Sequence, residues 1–226
     1  MRVGLLECDH VDDRFRDIDG DYSDMFAGLL DVELVPYDAV KGVLPTSPDE
    51  CDGWLAGGSR FSVYDDQPWI HELSQFVRDI RDAHAPYVGI CFGHQLLAHS
   101  LGGRTEKAVV GWGVGAIDTC YDARSDAVLL YMHQDQVTAL PAGAAATVLG
   151  HTEHCPIAML RVGAMLGVQA HPEFSVEYVD ALLNARADRI GPHLLARAKT
   201  SLARVGDAED AAVLGDYIVT FFGEHA

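Results

Sequence analysis

The chain has 226 residues, 49% of them hydrophobic and 22% charged, the proportions of a folded globular chain and not of a disordered or fibrous one. Asp and Glu number 34 against 16 Lys and Arg, and a net charge of −18 repels phosphate backbones and anionic lipid, so no nucleic acid and no membrane partner is expected. The N-terminus is charged within a few residues. The longest stretch free of Asp, Glu, Lys and Arg, Ala83 to Gly103, is interrupted by His84, Pro86, His94 and several glycines, so neither a signal peptide nor a membrane span is expected. Five scattered cysteines without a CxxC pair suit a reduced, cytoplasmic chain.

Short apolar runs alternate with helical patterns, predicting an α/β fold on a largely parallel sheet. Val3 to Leu6, Val32 to Tyr37 and Gly53 to Ala56 read as buried strands, the third ending at Gly57-Gly58-Ser59. Asp65-Asp66-Gln67-Pro68 then offers a capping carboxylate and a first-turn proline. Trp69, Ile70, Leu73, Phe76, Val77 and Ile80 follow at three-to-four spacing, predicting a helix with one buried face. Tyr87 to Ile90 is the next strand, followed by a helix from Gly93 through Leu101 to a Gly102-Gly103 stop. From Val109 to Leu166 the helical period fades into short β-like runs: Val109 to Thr119, Val128 to Met132, Ala146 to Leu149, Ile157 to Leu160 and Met165 to Gln169. Ser175 caps a further helix ending near Gly191-Pro192, and helical stretches over about 193–205 and 208–222 complete the chain. With no repeat, low-complexity tract or linker, residues 1–226 are expected to form one domain, with 191–226 as a helical C-terminal extension.

The chemistry concentrates in Gly89-Ile90-Cys91-Phe92-Gly93-His94-Gln95. A strand leads into Cys91 and a helix leads out, the setting of a nucleophile elbow, where glycines two residues either side let the backbone turn sharply. The helix beginning behind Cys91 turns its positive end toward it, and the Phe92 N–H is placed to hold an oxyanion. The plainer reading is a cysteine buried where strand and helix pack closely. His171-Pro172-Glu173 follows a second apolar run. At that strand end the histidine could serve as base to the thiol and the glutamate could orient it, although the same tripeptide also suits a solvent-facing turn.

Together, about 80 residues apart and in the order Cys, His, Glu, the two motifs resemble those of the class I (triad-type) glutamine amidotransferases, and the stand-alone GMP-synthase-like members in particular. The likeness extends over roughly residues 1–185. It is reinforced by Gly57-Gly58-Ser59-Arg60 with Val63-Tyr64-Asp65-Asp66, by Gly111-Trp112-Gly113-Val114, by His133-Gln134-Asp135-Gln136-Val137 and by Phe174 after the second motif. The resemblance implies a flavodoxin-like open sheet flanked by helices, with a smaller antiparallel portion. It implies Cys91 as nucleophile on the glutamine side-chain amide, His171 as proton carrier, Glu173 as its orienting group, and Gly58 and Phe92 as the oxyanion hole. Gly57, Gln95, His133 and Asp135 are implied as substrate-binding residues.

The implied reaction releases ammonia and glutamate through a γ-glutamyl thioester, with no metal or organic cofactor. Family members commonly pass the ammonia to a synthetase; no phosphate-cradling Gly-x-x-x-x-Gly-Lys-Ser/Thr loop is present here, so a separate synthetase chain is the expected partner, and the resemblance leaves room for a homodimer. Met132 stands where a serine is frequent in the family, which opens the alternative of a γ-glutamyl peptidase acting on γ-glutamyl peptides or conjugates. The related PfpI-type superfamily also has an elbow cysteine, but His171-Pro172-Glu173 at a late strand end supplies the base in the amidotransferase manner. A catalytically silent interaction module is the non-enzymatic alternative, and intact triad positions weigh against it.

Three further features read less sharply. Trp112 suits core better than a pocket wall. His151-Thr152-Glu153-His154-Cys155 has roughly ligand-like spacing, yet no other group completes a metal site. Arg186, Arg189, Arg197, Lys199 and Arg204 read as a solvated face, the sharper alternative being a dock for an acidic partner.

Overall fold

The computed structural model describes every residue except 123, 144, 207 and 208. In chain order the elements are β1 (Arg2–Leu6), α1 (Arg16–Asp19), α2 (Tyr22–Leu29), β2 (Glu33–Tyr37), β3 (Gly53–Ala56), α3 (Pro68–Asp82), β4 (Tyr87–Ile90) and α4 (Phe92–Ser100). There follow β5 (Arg104–Lys107), β6 (Gly113–Tyr121), β7 (Arg124–His133), β8 (Asp135–Ala139), β9 (Ala146–His151), β10 (Met159–Val162) and β11 (Met165–Val168). The chain closes with α5 (Val176–Ala185), α6 (Ala187–Ile190), α7 (Pro192–Ser201) and α8 (Glu209–His225).

The large sheet runs β2-β1-β3-β4-β11-β10-β9-β6-β7, and β5 pairs with β8 in a small antiparallel sheet. The first five strands of the large sheet are mutually parallel and the remainder antiparallel, the mixed architecture expected. Burial explains the order. Every residue of β3, β4 and β11 is buried, as suits central strands covered on both faces, whereas β2 carries Pro36 at the edge, where a missing N–H costs little.

One face packs Trp54, Leu73, Val77, Phe92 and Leu96 under α3 and α4. The other packs Val3, Leu5, Phe26, Val88 and Ile90 against Leu214, Ile218 and Phe222 of α8. The final helix therefore shares the core of the first strands, and Phe222 lies directly against Gly53 of β3.

Several boundaries differ from expectation for local reasons. Neither Asp65 nor Asp66 caps α3: its N-cap is Gln67 without a side-chain bond, Asp65 accepts from the Ser62 N–H, and Asp66 pairs with His71. The strand expected from Val109 begins at Gly113, because Val109 and Val110 protrude into solvent in a turn. The run at Ile157 enters its ladder two residues later, at Met159. The stretch expected from residue 193 is α7 followed by a short 3-10 turn, Leu202–Arg204.

Candidate active site

Three neighbouring parallel strands deliver the predicted residues to one edge of the sheet. β3 runs into Gly57-Gly58, β4 runs into Cys91, and β11 ends three residues before His171. Ala56 is paired with Gly89 and Ile90 with Val168, and the Cys91 N–H donates to the Val168 carbonyl at 2.8 Å. The site lies beyond the carboxyl ends of the strands, where open α/β sheets bind ligands.

Cys91 has φ 49° and ψ −95°, a conformation that non-glycine residues avoid, and α4 starts at the next residue. The turn is tight enough to forbid side chains two residues either side. A β-carbon on Gly89 would sit 2.3 Å from the Gly93 backbone, and one on Gly93 would sit 2.3 Å from the Ala56 carbonyl oxygen. Phe92, first residue of α4, has an N–H with no carbonyl to reach inside the helix. The Gly93 N–H donates to the Gly57 carbonyl at 3.2 Å, fastening the glycine turn after β3 to the elbow.

His171 is buried, and its Nδ1 lies 2.7 Å from Glu173 Oε1, with the Glu173 side chain fully enclosed. Phe174 stacks on the imidazole with centroids 3.9 Å apart and planes 7° apart, which fixes the ring's plane as Glu173 fixes its rotation. Burial alone would lower the His171 pKa. The Glu173 charge, the Cys91 charge and hydrogen bonds to both override it, so the imidazolium is favoured well above the usual histidine range. Gly58 lies between the two groups: a β-carbon there would approach His171 Cε1 to 2.8 Å and Cys91 Cβ to 3.8 Å.

Cys91 opens into a cavity of about 120 Å³ that Gln95, His133 and Asp135 also line. Asp135 is buried, its Oδ2 accepts from the Ser62 hydroxyl, and its Oδ1 has no partner among the described residues. Gln95 spends its amide nitrogen on the Asp135 carbonyl at 2.8 Å and on Gln169 Oε1 at 3.1 Å, so it holds the wall in place. His133 hydrogen-bonds the Asp135 carbonyl through Nδ1, and burial pushes its pKa down to about 3, leaving a neutral ring. Gly57, like Gly58 and Phe92, is not among the residues lining this cavity.

Two expectations are corrected. Trp112 walls the cavity as well as packing against the core, and Arg189 lies over its ring at 5.2 Å. Arg186 and Arg189 also line the cavity, while Lys199 and Arg204 pair with Asp180 and Asp118, so the C-terminal cations are no uniform solvated face. The His151–Cys155 segment disperses: His154 Nε2 bonds the Gly111 carbonyl at 3.1 Å and Cys155 is buried. Among the described residues no three His, Cys, Asp or Glu side chains are placed to hold a metal. Lys107, Gln169 and the Ser62–Asp135 bond were not foreseen. Lys107 ends a strand with one buried residue, and the other two are contacts across 74 and 73 positions of sequence that no local pattern announces.

The site thus sets a cysteine on a tight strand-to-helix elbow beside a buried, carboxylate-bound histidine, both at the carboxyl ends of a parallel sheet. The family model for glutamine amidotransferase class-I matches residues 27–185, and the chain belongs to that family. Gamma-glutamyl peptidase 3 of Arabidopsis thaliana is 27% identical over 191 residues, covering 74% of this chain and 76% of the relative. A GMP synthase [glutamine-hydrolyzing] of Thermosynechococcus vestitus is 31% identical over 161 residues, 67% of this chain but 27% of the relative. In fold the chain is similar to a glutamine amidotransferase from Thermotoga maritima, with a TM-score of 0.71, 19% identity, and coverage of 99% of this chain and 96% of that one. These relatives support hydrolysis as the general kind of reaction. Among the described residues no helix is long and apolar enough to cross a membrane.

Proposed function

We propose that the chain hydrolyses γ-glutamyl amide bonds through a thioester on Cys91, and that its preferred substrates are γ-glutamyl peptides or conjugates whose leaving amine carries a carboxylate. Cys91 attacks the γ-carbonyl carbon, and the resulting oxyanion is held by the Gly58 and Phe92 N–H groups. His171, protonated by the thiol, gives that proton to the leaving amine as the C–N bond breaks. Water then attacks the thioester, His171 takes a proton from it, and glutamate leaves as the thiol is restored. Glu173 keeps the imidazole in the tautomer and orientation both steps need. The orphan oxygen of Asp135 suits the substrate's α-ammonium group.

The observation that carries the choice of substrate is the mouth of the cavity. Lys107, Arg186 and Arg189 line it and make no ion pair among the described residues, in a chain with 34 acidic side chains available to pair them. An anionic leaving group fits there. The second reading is glutamine itself, with ammonia passed to a separate synthetase chain, and the five-segment family likeness favours it.

Glutamate release from γ-glutamyl dipeptides, glutathione and L-glutamine, measured beside Cys91→Ala, separates the two. The expected outcome is Cys91-dependent turnover with higher kcat/KM for the peptides. Higher kcat/KM for glutamine would establish the second reading, and Cys91-independent turnover would remove both.

A further inference from the structure

Behind the loop that walls the catalytic cavity lies a second cavity of about 380 Å³, between α3, the end of α4 and the turn at Val63–Asp65. Its size falls among small-ligand sites, which run about 300–1,000 Å³. Its wall carries Arg78 and His71 from α3, and His99 and Ser100 from α4. Arg78 makes no ion pair among the described residues. Its Nε and one terminal nitrogen donate to Gln75 Oε1 at 3.1 and 2.8 Å, and the other terminal nitrogen reaches the Ser100 carbonyl at 3.5 Å.

Ser100 is 8% exposed, and its hydroxyl is buried without a partner. A buried hydroxyl left unpaired costs about 1–3 kcal/mol, and a donor kept in that state beside a guanidinium that makes no ion pair among the described residues suits an acceptor-rich anion. Of the neighbouring carboxylates, Asp65 is in the cavity wall and accepts from the Ser62 N–H at 2.9 Å, and Asp66 meets His71 Nε2 at 3.0 Å on the open surface. A phosphate offers three acceptor oxygens and up to two charges to this donor set, more than a carboxylate can.

The two cavities share a wall. Arg60, Phe61 and Ser62 face the catalytic cavity, while Val63, Tyr64 and Asp65 face the second. Ser62 joins them directly, its N–H held by Asp65 and its hydroxyl donating to Asp135 beside Cys91.

We propose that the second cavity binds a phosphate group, free or as a phosphomonoester, and that its occupancy is read at the catalytic cavity through Ser62. The site is independent of which γ-glutamyl compound is hydrolysed, and binding is measured without turnover. Inorganic phosphate, methyl phosphate and glucose 6-phosphate are titrated into the wild-type chain, Arg78→Gln and Ser100→Ala, following heat release and the ring resonances of His71 and His99. Saturable binding that moves both histidines and weakens at least tenfold in Arg78→Gln, about 1.4 kcal/mol, is expected, with a smaller loss in Ser100→Ala. Tighter binding of glucose 6-phosphate than of inorganic phosphate would identify a phosphomonoester as the occupant, and the reverse order free phosphate. No saturable binding, or binding indifferent to Arg78→Gln, overturns the site. The KM for the Cys91-dependent substrate is then measured with and without the anion. A change in wild type that Arg78→Gln abolishes supports the coupling through Ser62, and an unchanged KM at saturation overturns it.

Discussion

His171 is held by three different means: a 2.7 Å bond to Glu173 fixes its tautomer, Phe174 stacked at 3.9 Å fixes its plane, and Gly58 leaves the space its Cε1 needs. Burial raises the pKa of the other buried thiols, Cys8, Cys51 and Cys155, the last to about 12, which disfavours their thiolate forms. Glu173→Gln keeps the shape and removes the charge that favours the His171 imidazolium, so the His171 pKa falls. The basic limb of the kcat/KM profile, where imidazolium is lost, is expected to move to lower pH, and kcat to drop about 10²-fold or more with little change in KM. The stability tied to this raised pKa has the matching sign: full below histidine's ordinary 6.5 and lost as pH rises through the folded value. Urea unfolding of wild type and Glu173→Gln across pH checks this second consequence. A profile that keeps its basic limb in place would remove Glu173 from the role given it.

Among the elements, the helix that follows the histidine motif shows how a local cap supports a distant function. Ser175 caps α5 by accepting from the Tyr178 N–H at 3.0 Å and donates to Asp19, and Tyr178 packs edge-on against Phe174, which in turn lies on His171. Ser175→Ala is expected to cost about 1 kcal/mol of stability, measured by urea unfolding, while kcat/KM stays within about twofold because the His171–Glu173 bond is untouched. The same cap was readable in the sequence, as were β3 and β4 to the residue, because strands buried on both faces leave uninterrupted apolar runs bounded by glycine or proline. α2, whose buried residues are Met25 and Phe26, and β5, where Thr105 alone is buried, leave no such run in the sequence. Site residues divide in the same way. Cys91 and His171 announce themselves through their immediate neighbours, whereas Lys107 and Arg186 reach the cavity, and Gln169 reaches Gln95, only once β5, α5 and β11 have assembled.

At the scale of the molecule, the net charge of −18 makes any positive surface conspicuous, and Lys107, Arg186 and Arg189, unpaired among the described residues, line the cavity that Cys91 also lines. A positive mouth in a negative field draws anions toward one place and repels them elsewhere, an effect that salt weakens over a Debye length of about 8 Å at physiological ionic strength. Arg186→Ala with Arg189→Ala is expected to raise KM for a γ-glutamyl dipeptide about tenfold, or about 1.4 kcal/mol, with kcat nearly unchanged. Glutamine, whose leaving group is uncharged ammonia, is expected to shift less than about twofold, since its α-carboxylate and α-ammonium groups travel with the glutamyl part and not with the leaving part. Raising salt should increase the wild-type KM for the dipeptide and leave the double variant nearly flat, so steady-state kinetics on both substrates at two ionic strengths decide the matter. Equal losses for dipeptide and glutamine would place the two arginines on the glutamyl carboxylate instead, and would return the choice of leaving group to Lys107 alone.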